Sequence, residues 1–144
     1  MSPDELQQRF LSEIEKRAVD DKYIDGIEER ELLQIAIQHG FGTEWARTTL
    51  ADVCRQRGYV IEASVVRLIR EKIRAATRSD GTIDRGGFER VVADAVSAVS
   101  GTTRTDRDVR RLVVTTMEDA GSTRVKAGVF SNWYARMKKE LGLA

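Results

Sequence analysis

Two short segments of the chain place carboxylates at spacings suited to binding a divalent cation. The first segment contains Asp21, Asp25 and Glu28, and the second contains Asp80 and Asp84. Calcium and magnesium are bound in proteins chiefly by oxygen ligands, carboxylates above all. These five side chains are therefore the candidate metal ligands of the chain, and Ca²⁺ or Mg²⁺ is the ion that they would take.

The second segment is similar to the latter half of an EF-hand loop but lacks most of its ligands. An EF-hand loop takes oxygen ligands at positions 1, 3, 5 and 12 and needs glycine at position 6. With Gly81 at position 6, Ala76, Arg78 and Gly87 fall at positions 1, 3 and 12. In the alternative interpretation, Asp25 and Asp84 simply cap the helices that follow them. We expect loops without a bound cofactor, and Ca²⁺ or Mg²⁺ binding remains the alternative.

The layout of these segments recurs along the chain. Residues 80–88 and 122–130 each have a branched apolar residue at the fourth place, glycine at the seventh and phenylalanine at the ninth, and residues 21–28 share part of the pattern. We interpret the repeat as an EF-hand-like helix–loop–helix unit. The branched residues Ile83 and Val125 are predicted to be buried anchors between helix pairs.

The Asp-x-x-Ile-Asp-x-x-Glu arrangement at residues 21–28, followed by a second acidic loop, resembles the tellurite-resistance B-like (TerB-like) domains. That resemblance implies an all-helical cytosolic domain linked to a stress-response, membrane-associated or chaperone-like assembly. Some members carry acidic metal-binding residues in the helix-pair loops. Carried over by residue, it makes Asp21 and Glu28 ligands in the first half and Asp80 a ligand in the second. Gly87 stands where the matching glutamate would be.

A row of basic residues is the candidate partner-binding feature. One edge of the predicted fourth helix carries arginines at spacings of three and four, and these are Arg67, Arg70, Arg74 and Arg78. Trp45 is a second candidate anchor, or else a lid on the core. Because Glu71 interrupts this row and no aromatic residue lies in it, nucleic acid is disfavoured as the partner. We expect another protein, with self-association and an arginine-rich nucleic-acid module as alternatives.

No arrangement of residues predicts catalysis. The single histidine, His39, precedes a glycine at a predicted helix end, and the single cysteine, Cys54, falls on an apolar helix face. Phosphate-binding glycine loops, nucleophile elbows and HExxH metal motifs do not occur in the sequence. We therefore predict an interaction or adaptor protein that is not an enzyme.

Helical periodicity supplies the elements that must position these residues. Apolar spacing of three and four predicts about seven helices, with Ser2, Asp25 and Thr105 as N-caps and Gly58 and Gly121 as C-terminal glycines. The expected fold is a single compact all-α domain spanning residues 1–144.

Charge and composition add to this prediction. Residues 1–64 carry 13 acids and 8 bases, whereas residues 65–144 carry 10 acids and 16 bases. This asymmetry suggests that the two parts attract within the fold or between copies, and chance placement of solvated charges is the alternative. One cysteine, a polar acidic N-terminus and no long apolar run predict a cytoplasmic protein without a signal peptide or membrane insertion.

Overall fold

The computed structural model describes residues 2–126 and 132–143. These residues form an all-α fold, as predicted. The described part of the chain contains seven α-helices, which are α1 Pro3–Ala18, α2 Gly26–Gln38, α3 Thr43–Arg57, α4 Glu62–Ala76, α5 Arg85–Ala98, α6 Asp106–Ala120 and α7 Trp133–Glu140. None of the helices in these residues combines the length and apolarity that crossing a bilayer requires.

The helix ends follow local signals in the sequence. Ser2, Asp25 and Thr105 each accept a hydrogen bond from the backbone N–H three residues on, in a full capping box. At the other end, α3 and α6 stop at Gly58 and Gly121, whose φ angles of 74° and 68° lie in the left-handed region. All five predicted boundary residues are confirmed.

Four two-residue strands join the loops in pairs, a feature that helical periodicity does not predict. In the described residues these are β1 Tyr23–Ile24, β2 Val60–Ile61, β3 Thr82–Ile83 and β4 Arg124–Val125. β1 pairs with β2 in parallel, with Ile24 opposite Ile61, and β3 pairs with β4 in parallel, with Ile83 opposite Val125. Each pair joins two helix–loop–helix segments that are distant in sequence.

The chain divides into two compact units. The first comprises Met1–Ala63 and Gly101–Thr103, and the second comprises Ser64–Ser100 and Arg104–Ala144. The core of the first unit is built on side chains of α1, α2, α3 and β1, among them Phe10, Ile14, Ile24, Leu32 and Leu50. The core of the second unit includes Ile69, Ile83, Phe88, Val113 and Met117. The single domain over residues 1–144 stays a prediction.

The two units repeat the same order of elements. In each unit a helix, a strand, two helices and a second strand follow one another, and Ile83 stands 59 positions after Ile24. The loops at β1, β3 and β4 are visible in the sequence pattern. The loop at β2 is not, because Val60 and Ile61 lack flanking aspartates. EF-hand-like pairing of the loops stays a prediction.

The two predicted anchors differ in burial. The Ile83 side chain is 0% exposed, which confirms the prediction for that residue. Val125 is only half-buried, so the prediction that it is a buried anchor is wrong. Phe130, the other apolar residue expected in that segment, lies outside the described residues.

Candidate interaction site

Asp21 and Asp80 fold the loops that precede β1 and β3. Asp21 Oδ1 accepts a hydrogen bond of 3.1 Å from the Tyr23 backbone N–H, and Asp80 Oδ1 accepts bonds from both the backbone N–H and the hydroxyl of Thr82. The Thr82 hydroxyl, followed by its backbone N–H, lowers the pKa of Asp80 below its ordinary value. Both aspartates therefore close turns that orient the strands after them, β1 and β3.

Asp25, Glu28 and Asp84 bond to helix N-termini. Asp25 Oδ1 accepts from Glu28 N–H at 2.8 Å, and Glu28 Oε1 accepts in return from Asp25 N–H at 3.1 Å. Asp84 Oδ1 accepts from Gly87 N–H at 2.7 Å, and its other oxygen lies 2.6 Å from Arg78 Nη2. The Gly87 N–H, assisted by the charge of Arg78, lowers the pKa of Asp84.

The hydrogen bonds of the five candidate carboxylates affect whether these side chains could bind a metal ion. Within residues 2–126 and 132–143, no three His, Cys, Asp or Glu side chains come together in a group that could hold an ion. Each of the five candidate carboxylates instead accepts a backbone N–H within its own loop. The metal site stays a prediction, and a bound ion would have to compete with these hydrogen bonds.

Glu62 is a carboxylate that the sequence analysis did not single out. Its Oε1 accepts from the Tyr23 hydroxyl at 3.0 Å, and its Oε2 accepts from the Gly26 N–H at 3.0 Å. Glu62 therefore ties the start of α4 to the β1 loop and supplies a second cap to α2. No local pattern predicts this, because Tyr23 and Glu62 are 39 residues apart.

The arginine row keeps three of its four predicted members. Arg67, Arg70 and Arg74 lie on one side of α4, and all three are exposed. Arg78 does not belong to the row as predicted, because α4 ends at Ala76 and the guanidinium of Arg78 forms an ion pair with Asp84. From here on, the arginine row means Arg67, Arg70 and Arg74.

The arginine row has no acidic partner in the part of the chain that the structure describes. Lys72, on the opposite side of the same helix, is paired with Asp94 of α5 at 3.6 Å. As far as the described residues go, the three guanidinium groups are therefore available for an external anion.

A groove opens beside two of these arginines. It has a volume of about 270 Å³, and its described lining residues are Arg70, Ile73, Arg74, Thr77, Thr116, Ala120, Ser122 and Thr123. We call it the arginine–threonine groove. Its described lining contains two arginines, four hydroxyl side chains and no acid, above an apolar floor.

The walls of the arginine–threonine groove are fixed by hydroxyl hydrogen bonds. Thr77 Oγ1 donates to the Ile73 carbonyl at 2.6 Å and lies 3.0 Å from Thr123 Oγ1. Because the Thr77 proton is committed to Ile73, Thr123 is the donor in the second bond. This bond joins the segment after α6 to the end of α4.

The arginines of α6 form hydrogen bonds and ion pairs within the protein. Arg110 bonds both carboxylate oxygens of Glu89, at 2.9 and 2.8 Å, and also bonds Asp106. Arg107 donates to the Glu140 carbonyl at 2.7 Å, and Arg111 donates to the Leu141 carbonyl. These bonds satisfy carbonyls at the C-terminus of α7, where the helix dipole favours positive charge.

Trp45, the other predicted partner-binding residue, is packed against aromatic neighbours. Its ring stacks on Phe41 with the centroids 4.0 Å apart and lies 5.5 Å from the Phe10 ring. The side chain is half-buried beside the core of the first unit. This geometry is that of a lid on the core, and its role in binding stays a prediction.

Comparison with known proteins identifies no family for this chain. No family model matches the chain, and no curated protein or solved structure matches it. The TerB-like resemblance therefore stays a prediction, based on the loop residues alone.

Proposed function

We propose that this protein is a non-enzymatic interaction module that binds an acidic segment of another protein through the arginine row. The observation that carries the proposal is that Arg67, Arg70 and Arg74 are exposed on one side of α4 and have no ion pair in the described residues. Arginine is well suited to carboxylate recognition because its planar fork donates parallel hydrogen bonds.

The location of the charge favours a protein over nucleic acid. The row contributes three positive charges along one helix, and Glu71 lies between Arg70 and Arg74 in sequence. A nucleic-acid surface neutralises many phosphates and stacks aromatic side chains on bases, whereas α4 contains no aromatic residue. An acidic peptide needs only a short row of cations.

The full chain and a fluorescein-labelled decaglutamate peptide test the proposal. We expect fluorescence anisotropy to detect binding that weakens markedly between 50 and 500 mM NaCl, because exposed charges are screened at high salt. Arg70→Glu with Arg74→Glu should weaken binding at least about tenfold, since a hydrogen bond to a charged group contributes about 1.5–3 kcal/mol.

The matched control is Arg9→Glu with Arg47→Glu, which makes the same change in charge on exposed arginines of the first unit. Circular dichroism must show that both double variants are folded. Equal loss of binding in the two double variants would mean that the peptide responds only to net charge, and the proposal would be wrong. Tighter binding of a duplex DNA of the same charge would favour the nucleic-acid alternative.

A further inference from the structure

The arginine–threonine groove has the chemistry of an anion site for a single side chain. Arg70 and Arg74 are one helical turn apart on the same side of α4, so their guanidinium groups can converge on one anion. The volume of about 270 Å³ lies just below the range of pockets for drug-sized ligands. It therefore suits one inserted side chain better than a whole small molecule.

Arg70 and Arg74 have no ion pair within the described residues, and two such guanidinium groups on one rim favour a phosphate over a carboxylate. A carboxylate carries one charge, and a single arginine fork can satisfy both of its oxygens. A phosphomonoester carries a charge of about −1.5 to −2 at pH 7 and has three acceptor oxygens, so it can engage both arginines. The exposed hydroxyl of Ser122 is a further donor at the rim.

The groove also has a floor and a fixed shape. Ile73 is buried beneath it, and the Thr77–Thr123 bond of 3.0 Å holds its two walls together. One residue further on, the Arg124 N–H donates to the Gly81 carbonyl at 2.9 Å, which continues the attachment into the β3–β4 pair. A site whose walls are already joined loses less conformational entropy on binding.

We propose that the arginine–threonine groove recognises a phosphorylated side chain of the acidic partner segment. This inference rests on the proposed function and deepens it. The arginine row attracts the acidic segment, and the groove selects the phosphomonoester within it. Arg70 and Arg74 bind the phosphate oxygens, and the apolar floor takes the methylene of the phosphorylated residue.

Capped tripeptides titrated into the ¹⁵N-labelled full chain at constant ionic strength test this inference. The three probes are Ala-phosphoserine-Ala, Ala-Glu-Ala and Ala-Ser-Ala. We expect the phosphopeptide to shift the amide signals of Thr77, Ser122 and Thr123 and to bind at least about fivefold more tightly than the glutamate peptide. The serine peptide should cause no shifts.

Variants locate the binding and separate charge from fork geometry. Arg70→Lys with Arg74→Lys keeps both charges but removes both forks, so phosphopeptide binding should weaken at least about fivefold. Decaglutamate binding should weaken less, because it also uses Arg67 and the charge of the whole row. Arg9→Lys with Arg47→Lys is the matched control and should leave both affinities unchanged.

The outcomes distinguish this inference from the proposed function. Equal affinity for the phosphoserine and glutamate peptides, or no phosphopeptide binding while decaglutamate still binds, overturns the inference and leaves the proposed function standing. Loss of decaglutamate binding while the phosphopeptide still shifts Ser122 and Thr123 overturns the proposed function alone. Tighter binding of duplex DNA than of the phosphopeptide at the same signals overturns both.

Discussion

Ile83 is fully buried although Thr82 and Asp84, its neighbours in the chain, are each partly accessible. The turn closed by Asp80 and the helix cap formed by Asp84 fix the backbone on either side, so the side chain can point only into the core. Ile24 has the same flanking aspartates and is equally buried. The loop aspartates thus determine where an apolar side chain is inserted.

We expect Ile83→Ala to lower the free energy of unfolding by about 2–4 kcal/mol, because it leaves a cavity at a fully buried site. Val125→Ala, at the half-buried position opposite, should cost less. Urea denaturation followed by circular dichroism measures both. A loss below about 0.5 kcal/mol for Ile83→Ala would contradict the full burial of this side chain.

Cys54 provides a second test at the scale of one residue. Burial, followed by the negative charge of Glu15, raises the pKa of its thiol to about 11. Since the thiolate is the reactive form, alkylation by iodoacetamide at pH 8 should be slow in the folded protein and at least about tenfold faster in 8 M urea. Mass spectrometry over time measures both rates, and equal rates would show that the thiol is accessible.

The aspartates show what a sequence can and cannot decide about a site. Asp25 and Asp84 fit both a metal ligand and a helix cap, because a carboxylate just before a helix can serve either role. Periodicity correctly placed the helices that begin after them. It could not reveal that Arg78 bonds Asp84, since that depends on where α4 ends.

At the scale of elements, the first turn of α5 contains two adjacent glycines in different surroundings. A Cβ on Gly86 would approach nothing closer than 3.7 Å, whereas a Cβ on Gly87 would lie 3.2 Å from both Asp84 Oδ1 and Ile83 Cγ1. The glutamate that the TerB-like resemblance implies at position 87 would therefore have to displace the cap and the buried isoleucine.

We expect Gly86→Ala to stabilise the protein by up to about 1 kcal/mol, the difference in helix propensity between the two residues. Gly87→Ala should stabilise the protein less, or destabilise it, because Asp84 and Ile83 must move to make room for the new Cβ. Thermal unfolding of the two variants in parallel measures the contrast. A larger gain for Gly87→Ala would show that this turn is less tightly packed than described.

Helix boundaries were predictable because their signals are local, whereas the strand pairs and the groove are not. Each strand has only two residues, too few for an alternating pattern to be recognised. The arginine–threonine groove combines Arg70 and Arg74 with Ser122 and Thr123, which come about fifty residues later. Only the arginine half of that site was visible in the sequence.

At the scale of the whole molecule, the five loop carboxylates predict how the protein responds to calcium. Since each already accepts a backbone N–H, we expect 5 mM CaCl₂ to leave the melting temperature unchanged within about 1 °C. Differential scanning fluorimetry with and without EDTA measures this. A clear rise in melting temperature that Glu28→Ala abolishes would favour the metal-binding alternative.

The two parallel strand pairs also make each unit of the chain separately observable. The Val60 N–H donates to the Lys22 carbonyl at 2.9 Å, and the Lys126 N–H donates to the Ile83 carbonyl at 2.8 Å. Each bond closes a segment of about forty residues, so neither amide can exchange with solvent deuterium until its own segment opens. The exchange rates of these two amides therefore report separately on opening at the β1–β2 pair and at the β3–β4 pair.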